Sequence, residues 1–155
     1  SFAFDQNASI TVTALDPNPN YQYALDYGAL QFSNVFTNVN PGSHLVTVID
    51  TNGCTNLSTN VFIIGYPTFF TPNNDGLNDD FRGKGYLPGI RNYTLSIWSR
   101  WGEKIFENND PDQGWNGEYN NAGKQVMGGV YVFTVQYTGP RGNEFELKGN
   151  VTLIR

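Results

Sequence analysis

Short runs in which apolar and polar side chains alternate, each bounded by turn-forming residues, restrict the fold of this sequence more than any other feature. Ser9–Leu15 and Tyr93–Trp98 show the pattern most clearly. Alternation is typical of β-strands with one buried face, because successive side chains of a strand point to opposite sides. No stretch has a sustained 3.6-residue period, so the sequence predicts an all-β fold.

The first half of the chain has the organisation of an immunoglobulin-like sandwich, in which short antiparallel strands are joined by frequent turns. Proline, glycine and asparagine supply those turns, as in Asn40-Pro41-Gly42 and Asp50–Gly53. The predicted strands are Ser9–Leu15, Tyr21–Leu25, Val35–Val39, Leu45–Ile49 and Thr59–Ile64.

The second half repeats this organisation and predicts a second sandwich. Tyr93–Trp98 is expected to pair with Lys104–Glu107 across the turn Arg100-Trp101-Gly102. Val130–Tyr137 is the longest candidate strand, and the turn Thr138–Asn143 returns the chain into a final strand.

Charge divides the chain close to residue 65. All nine Lys and Arg residues and all three Trp residues follow Tyr66, and the first 65 residues carry only aspartates as charged groups. Gly65-Tyr66-Pro67 permits a change of chain direction at this point. We therefore predict two small immunoglobulin-like antiparallel β-sandwich domains in tandem, covering residues 1–65 and 66–155.

The composition argues against several classes of function. A net charge of −5 provides no basic patch for phosphate groups, so nucleic acid is not an expected partner. The longest apolar runs have four residues, whereas a membrane-spanning helix needs about twenty. Ser1–Asp5 lacks the basic and apolar regions of a signal peptide, so we expect the chain to be cut from a longer precursor.

One cysteine and one histidine provide little material for catalysis, and the sequence predicts neither enzyme activity nor a certain cofactor. His44 is predicted to be a partly exposed strand residue. Nucleophilic catalysis needs a base beside the nucleophile, and nothing in the spacing brings His44 to Cys54. Cys54 is either a buried thiol or half of a disulfide to a segment outside this chain.

One loop, Thr71–Asp80, is rich in the oxygen ligands that calcium prefers. Asn73, Asp75 and Asp79 occupy positions 3, 5 and 9 of a calcium-loop pattern, and Gly76 occupies position 6. The pattern is partial, because threonine and arginine stand at its first and twelfth positions. The sequence leaves two interpretations open: a calcium site, or a loop closed by its own side-chain hydrogen bonds.

The three tryptophans are predicted to pack within the protein. Trp98 lies in an alternating strand and is predicted to be in the core, whereas Trp101 and Trp115, which neighbour glycines, are predicted packing anchors. The alternative is a carbohydrate-binding or adhesive module, in which exposed aromatic rings contact the ligand. Two coplanar exposed rings at Trp101 and Trp115 would favour that alternative, and burial would favour packing.

Five blocks follow one another in the second half: Phe69–Asp79, Ile97–Glu107, Trp115–Tyr119, Gly128–Tyr131 and Lys148–Arg155. In this order they resemble the gliding-motility-associated C-terminal domain of Bacteroidota, the type B sorting signal of the type IX secretion system. The resemblance implies a folded signal that sends its cargo through the periplasm to the cell surface or extracellular space. The implied partners are outer-membrane type IX translocon components and a PorP/SprF-type outer-membrane protein.

Residues 20–54 resemble the repeat of the giant gliding adhesin of the SprB type. The similar segments are Tyr21–Asp26, Phe32–Phe36, Asn40–Gly42 and Val46–Cys54. The resemblance implies that the chain is the C-terminal region of a cell-surface gliding adhesin.

The last predicted strand, Lys148–Arg155, places Val151 and Leu153 toward the core. Its outward residues and an accessible strand edge are predicted to form part of the surface that the translocon partner recognises. The alternative is that the strand only completes the sandwich. The residues predicted for partner recognition are Lys148, Thr152, Ile154 and Arg155.

Overall fold

The computed structural model describes residues 8–14, 20–52, 56–85 and 89–155, which contain ten β-strands, one 3-10 helix at Tyr119–Asn121 and no α-helix. The all-β prediction is therefore confirmed for the described residues, whereas Leu15 and Cys54 lie outside them. The strands are β1 Ala8–Thr11, β2 Tyr21–Leu25, β3 Val35–Val39, β4 Gly42–Asp50, β5 Asn56–Ile63, β6 Phe69–Phe70, β7 Arg91–Trp98, β8 Lys104–Asn108, β9 Gly129–Thr138 and β10 Glu144–Leu153.

The first half combines a two-stranded sheet with a three-stranded sheet. β1 pairs with β3, and β4 lies between β2 and β5, with every pair antiparallel. Ile10 of β1, Val39 of β3 and Val46 of β4 form one buried cluster. Because the cluster draws residues from both sheets, removal of apolar surface from water holds the sheets together.

The second half is organised around one five-stranded sheet with the order β6-β10-β9-β7-β8. Both predicted hairpins are present, since β7 pairs with β8 and β9 pairs with β10 in antiparallel fashion. β6 and β10 run parallel, with Phe69 opposite Thr152 and Phe70 opposite Leu153. The final strand therefore lies inside the sheet at its C-terminal end.

Aromatic side chains from irregular segments cover the inner face of this sheet. The ring centroids of Tyr66 and Phe133 are 5.2 Å apart, those of Phe81 and Phe133 are 5.0 Å apart, and those of Trp115 and Tyr131 are 4.9 Å apart. Phe81 and Trp115 also exchange backbone hydrogen bonds of 2.8 and 3.0 Å. The two layers are arranged as in a sandwich. In the described residues, however, isolated β-bridges rather than regular strands connect the segments of the covering layer.

The predicted boundary lies where the chain enters this second core. Gly65 and Lys84 exchange backbone hydrogen bonds of 3.0 and 2.7 Å, and Ile64 packs against the second cluster of buried residues. The Tyr66 and Tyr93 hydroxyl oxygens are 2.8 Å apart within that cluster. The division into domains at 65/66, and their description as an immunoglobulin-like pair, stay predictions.

Leu153→Ala is expected to lower the free energy of unfolding by about 2–5 kcal/mol, because a buried leucine side chain is replaced by a cavity. Leu153 is 2% exposed, and its neighbour Ile154 is 46% exposed. Ile154→Ala is the matched control and is expected to change this free energy by less than about 0.5 kcal/mol. Urea denaturation followed by tryptophan fluorescence measures both variants, and equal losses would contradict the inward orientation of Leu153.

Candidate functional site

The Asp79 carboxylate organises the loop for which calcium was predicted. Its Oδ1 accepts hydrogen bonds from the backbone N–H groups of Asn73 at 3.0 Å and Asn74 at 2.6 Å, and its Oδ2 accepts one from Gly76 at 2.8 Å. Asn74 and Gly76 have φ of 59° and 84°, so both lie in the left-handed region that asparagine and glycine tolerate. The backbone therefore curls around this one carboxylate.

Asn73 and Asp75 close the other side of the loop. Asp75 Oδ1 accepts the Leu77 N–H at 2.8 Å, Asp75 Oδ2 accepts a hydrogen bond from Asn73 Nδ2 at 2.9 Å, and Asn73 Oδ1 accepts the Asp75 N–H at 3.1 Å. The structure thus brings the three predicted ligands together in a loop closed by its own hydrogen bonds. No group of three or more His, Cys, Asp and Glu side chains in the described ranges is placed to hold a metal ion. The calcium site stays a prediction.

The His44 imidazole contacts two hydrogen-bond acceptors. Its Nδ1 lies 2.7 Å from Asp26 Oδ2, and its Nε2 lies 2.7 Å from the carbonyl oxygen of Asn40. A carboxylate and a carbonyl can only accept, so both contacts are hydrogen bonds when the ring carries two protons. Asp26 was not among the residues predicted from the sequence, because only the pairing of β2 with β4 places it beside His44.

These contacts shift the pKa values of both groups. Burial by itself would lower the pKa of His44, but the hydrogen bonds to Asp26 and Asn40 and the charge of Asp26 outweigh it and raise that pKa. The hydrogen bonds from His44 and from the Leu45 N–H lower the pKa of Asp26. When the ring carries both protons, it has no lone pair with which to activate a nucleophile.

The predicted recognition strand differs from expectation at its edge. β10 begins at Glu144 and ends at Leu153, and Val151 and Leu153 face the core as predicted. The expectation of an accessible edge at the C-terminal end is wrong, because the Thr152 N–H donates to the Thr68 carbonyl at 2.8 Å and the Ile154 N–H donates to the Phe70 carbonyl at 3.1 Å.

Arg155 is also tied to the rest of the domain. Its Nε donates to the Val126 carbonyl at 3.0 Å, and its Nη2 donates to the Gly117 carbonyl at 2.7 Å. Arg155 therefore fixes the segment between Trp115 and β9, which the sequence pattern did not indicate. Lys148 is exposed on β10, and the involvement of these residues in partner recognition stays a prediction.

The tryptophans occupy three different environments. Trp115 is fully buried, and its Nε1 donates to the Glu118 carbonyl at 2.7 Å, so its predicted packing role is confirmed. Trp98 lies outside the buried cluster, because successive side chains of β7 point to opposite faces of the sheet. Leu95 and Ile97 point into the core, and Trp98 points to the other face. The prediction of a buried Trp101 is wrong, since this side chain is 86% exposed at the tip of the β7–β8 turn.

The fold and these loops define a small all-β domain whose surface loops are fixed by side-chain hydrogen bonds. Residues 64–153, which are 90 of the 155 residues, match the family model described as the CHU_C type IX secretion signal domain, and the chain belongs to this family. The resemblance to a type IX sorting domain is confirmed. Membership of this family implies that the domain interacts with the secretion system. It also implies that the protein is secreted or displayed at the cell surface.

Other comparisons add little to this assignment. No curated protein matches the chain. The crystal structure of dimeric latent PorU from Porphyromonas gingivalis matches at 11% identity with a TM-score of 0.34, over 99% of this chain but only 17% of that one. Similarity at this level establishes neither a shared fold nor a shared function. Within the described ranges, no helix has the length and apolar character needed to cross a membrane.

Asp79→Ala is expected to lower the free energy of unfolding by about 1–3 kcal/mol, because three backbone N–H groups lose a charged acceptor. Glu144→Ala, which removes a carboxylate from an exposed position on β10, is the control and is expected to have an effect below about 0.5 kcal/mol. Thermal or urea denaturation measures both variants. Equal stability of the two variants would show that the hydrogen bonds to Asp79 do not contribute to the free energy of unfolding.

Melting the wild type in excess calcium and then in chelator separates the two interpretations of the same loop. A bound ion raises Tm by mass action, and this rise must disappear in Asp79→Ala. An unchanged Tm would indicate that the loop is closed by its own hydrogen bonds and binds no calcium.

The His44–Asp26 pair is expected to stabilise the protein over a defined pH range. The pKa of His44 is raised in the folded state, so its contribution is complete below about 6.5 and is lost as pH rises through the folded value. The pKa of Asp26 is lowered, so its contribution is present above about 3.8 and is lost as pH falls through the folded value.

NMR titration measures this directly, because the chain contains one histidine. Asp26→Asn is expected to lower the pKa of His44, since it removes the anionic acceptor. Asp50→Asn, at the other end of β4, is expected to leave that pKa nearly unchanged. An unaltered titration in Asp26→Asn would contradict the assigned contact.

Proposed function

We propose that this chain is the C-terminal region of a secreted cell-surface gliding adhesin, and that its second half is a folded sorting signal for type IX secretion across the outer membrane. The family match over residues 64–153 is the observation that carries the proposal. The adhesin assignment rests on the resemblance of residues 20–54 to the SprB-type repeat.

The sheet order supports a signal that is recognised after folding. β10 pairs with β9 on one side and with β6, near the start of the second half, on the other. The contacts of β6 with β10 span more than eighty residues of sequence, so this part of the sheet forms only when both ends of the segment have folded. A partner that reads this surface would thereby select folded cargo.

The proposed partners are outer-membrane type IX translocon components, including a PorP/SprF-type outer-membrane protein. The proposed role is non-catalytic. The geometry of His44 supports this, because both of its ring nitrogens already contact Asp26 and the Asn40 carbonyl.

A carbohydrate-binding or adhesive module is the second candidate, and the exposure of Trp101 is the observation that favours it. Trp101 and Trp115 do not form two exposed coplanar rings, because Trp115 is fully buried. The sorting function is therefore the better supported of the two.

Export of a passenger protein in a type IX-competent cell tests the proposal. A fusion to residues 64–155, which retains Ile64 and Gly65 with the second core, is expected to be exported as efficiently as a fusion to residues 1–155. The passenger alone and a translocon-deficient cell are the controls. Retention of the 1–155 fusion in the competent cell would reject the sorting function.

A further inference from the structure

Two exposed apolar side chains line one concave surface of the second half. Trp101, from the β7–β8 turn, is 86% exposed, and Met127, from the loop before β9, is 84% exposed. Both line a groove of about 440 Å³ whose other apolar residues include Ile105 and Val130. We call it the Trp101 groove. Clustered exposed apolar residues with polar neighbours mark interaction sites more often than scattered ones do.

The turn that carries Trp101 is held rigidly. Ser99 Oγ accepts hydrogen bonds from the Trp101 N–H at 3.3 Å and the Glu103 N–H at 3.2 Å. The backbone of Ser99 also bonds to Glu103 at 2.8 Å and to Gly102 at 3.0 Å. Gly102 has φ of 82°, which glycine adopts without strain. The hydrogen bonds of the turn therefore fix the backbone at Trp101, whose side chain points to solvent.

The loop that carries Met127 is fixed as well. The Tyr131 hydroxyl donates to the Met127 carbonyl at 2.6 Å, and Arg155 donates to the neighbouring Val126 carbonyl at 3.0 Å. A surface whose backbone is already ordered loses little conformational entropy when a partner binds. Both contributors to the groove are thus preorganised.

The charges of the groove indicate the chemistry of its partner. The Arg100 guanidinium lies 5.9 Å from the Trp101 ring centroid, and the Lys124 ammonium lies 5.8 Å from that of Tyr119. Neither cation makes a salt bridge with a carboxylate of the described segments. Glu103 is the acidic residue among those lining the groove, which therefore has an excess of positive charge in a chain of net charge −5.

We propose that the Trp101 groove is the surface through which the type IX machinery recognises this domain, and that it binds an acidic segment of that partner carrying an apolar side chain. The apolar side chain contacts Trp101 and Met127, and the acidic groups face Arg100 and Lys124. Tryptophan and arginine are the residue types that most often dominate binding energy at protein interfaces. This inference rests on the proposed sorting function and assigns a surface to it.

Trp101→Ala in the full chain, fused to a passenger, is expected to reduce the rate of type IX export at least about tenfold, as for a residue central to an interface. Its melting temperature is expected to stay within about two degrees of the wild type, since the side chain is exposed. Tyr27→Ala removes an aromatic ring that is 89% exposed in the first half and is the matched control, with export unchanged.

A charge series at Arg100 tests the acidic character of the partner. Export is expected to decrease from Arg100→Lys, which retains the charge, to Arg100→Gln and further to Arg100→Glu. Arg91→Glu, at an exposed position on β7, controls for charge reversal and is expected to be exported normally. Equal export of the three Arg100 variants would overturn the acidic partner.

The controls separate this inference from the function on which it rests. If the wild-type fusion is not exported, the sorting function fails. If the wild type and folded Trp101→Ala are exported at the same rate, the function stands and the groove is not the recognition surface. Normal export, combined with Trp101-dependent self-association in sedimentation or Trp101-dependent binding to a neutral polysaccharide, would assign the groove to a second copy or to a sugar.

Discussion

The aromatic layer over the inner face of the five-stranded sheet is the packing on which the second half depends. Phe81 and Tyr66 pack on Phe133, and Trp115 packs edge-on against Tyr131. These rings bury large apolar areas and replace a second regular sheet. The layer also requires small residues, because a Cβ on Gly149 would lie 2.7 Å from the Phe133 ring.

Two hydrogen-bonded surface loops extend from this layer. The loop that Asp79 closes lies between Phe70 and Phe81, which are both fully buried, so its ends are fixed by packing and its middle by hydrogen bonds. The segment after Trp115 is held in the same way by the Trp115 side chain and by Arg155. Rigid loops on a packed scaffold present a constant surface, which suits a domain that has to be recognised by another protein.

The first half stabilises its turns by a different interaction. Asp26 accepts hydrogen bonds from His44 and from the Leu45 N–H, which connects the end of β2 to β4. The contact of His44 with Asp26 is strongest when the ring is protonated and the carboxylate is ionised, and the further contact of Nε2 with the Asn40 carbonyl needs a second ring proton. The aromatic packing of the second half does not itself depend on ionisation.

The sequence by itself predicted most of the strands, since alternation reports which residues of a strand share a face, but it did not predict the two-residue strand β6. Alternation predicted the strand Tyr93–Trp98, and the structure places Leu95 and Ile97 on its buried face and Trp98 on the other. The Asn, Asp and Gly residues of the 71–80 loop likewise indicated either a calcium site or a turn closed by side-chain hydrogen bonds. These are local properties, and local sequence encodes them.

Tertiary structure alone decided which distant segments meet. The pairing of β6 with β10, the contacts of Arg155 with Val126 and the approach of Asp26 to His44 join residues that local patterns cannot relate. The exposure of Trp101 was decided in the same way, because it depends on how Ser99 orients the turn and on the absence of covering residues from the described segments. A period in sequence gives the direction of a side chain relative to its own strand, whereas burial depends on what the rest of the chain places opposite it.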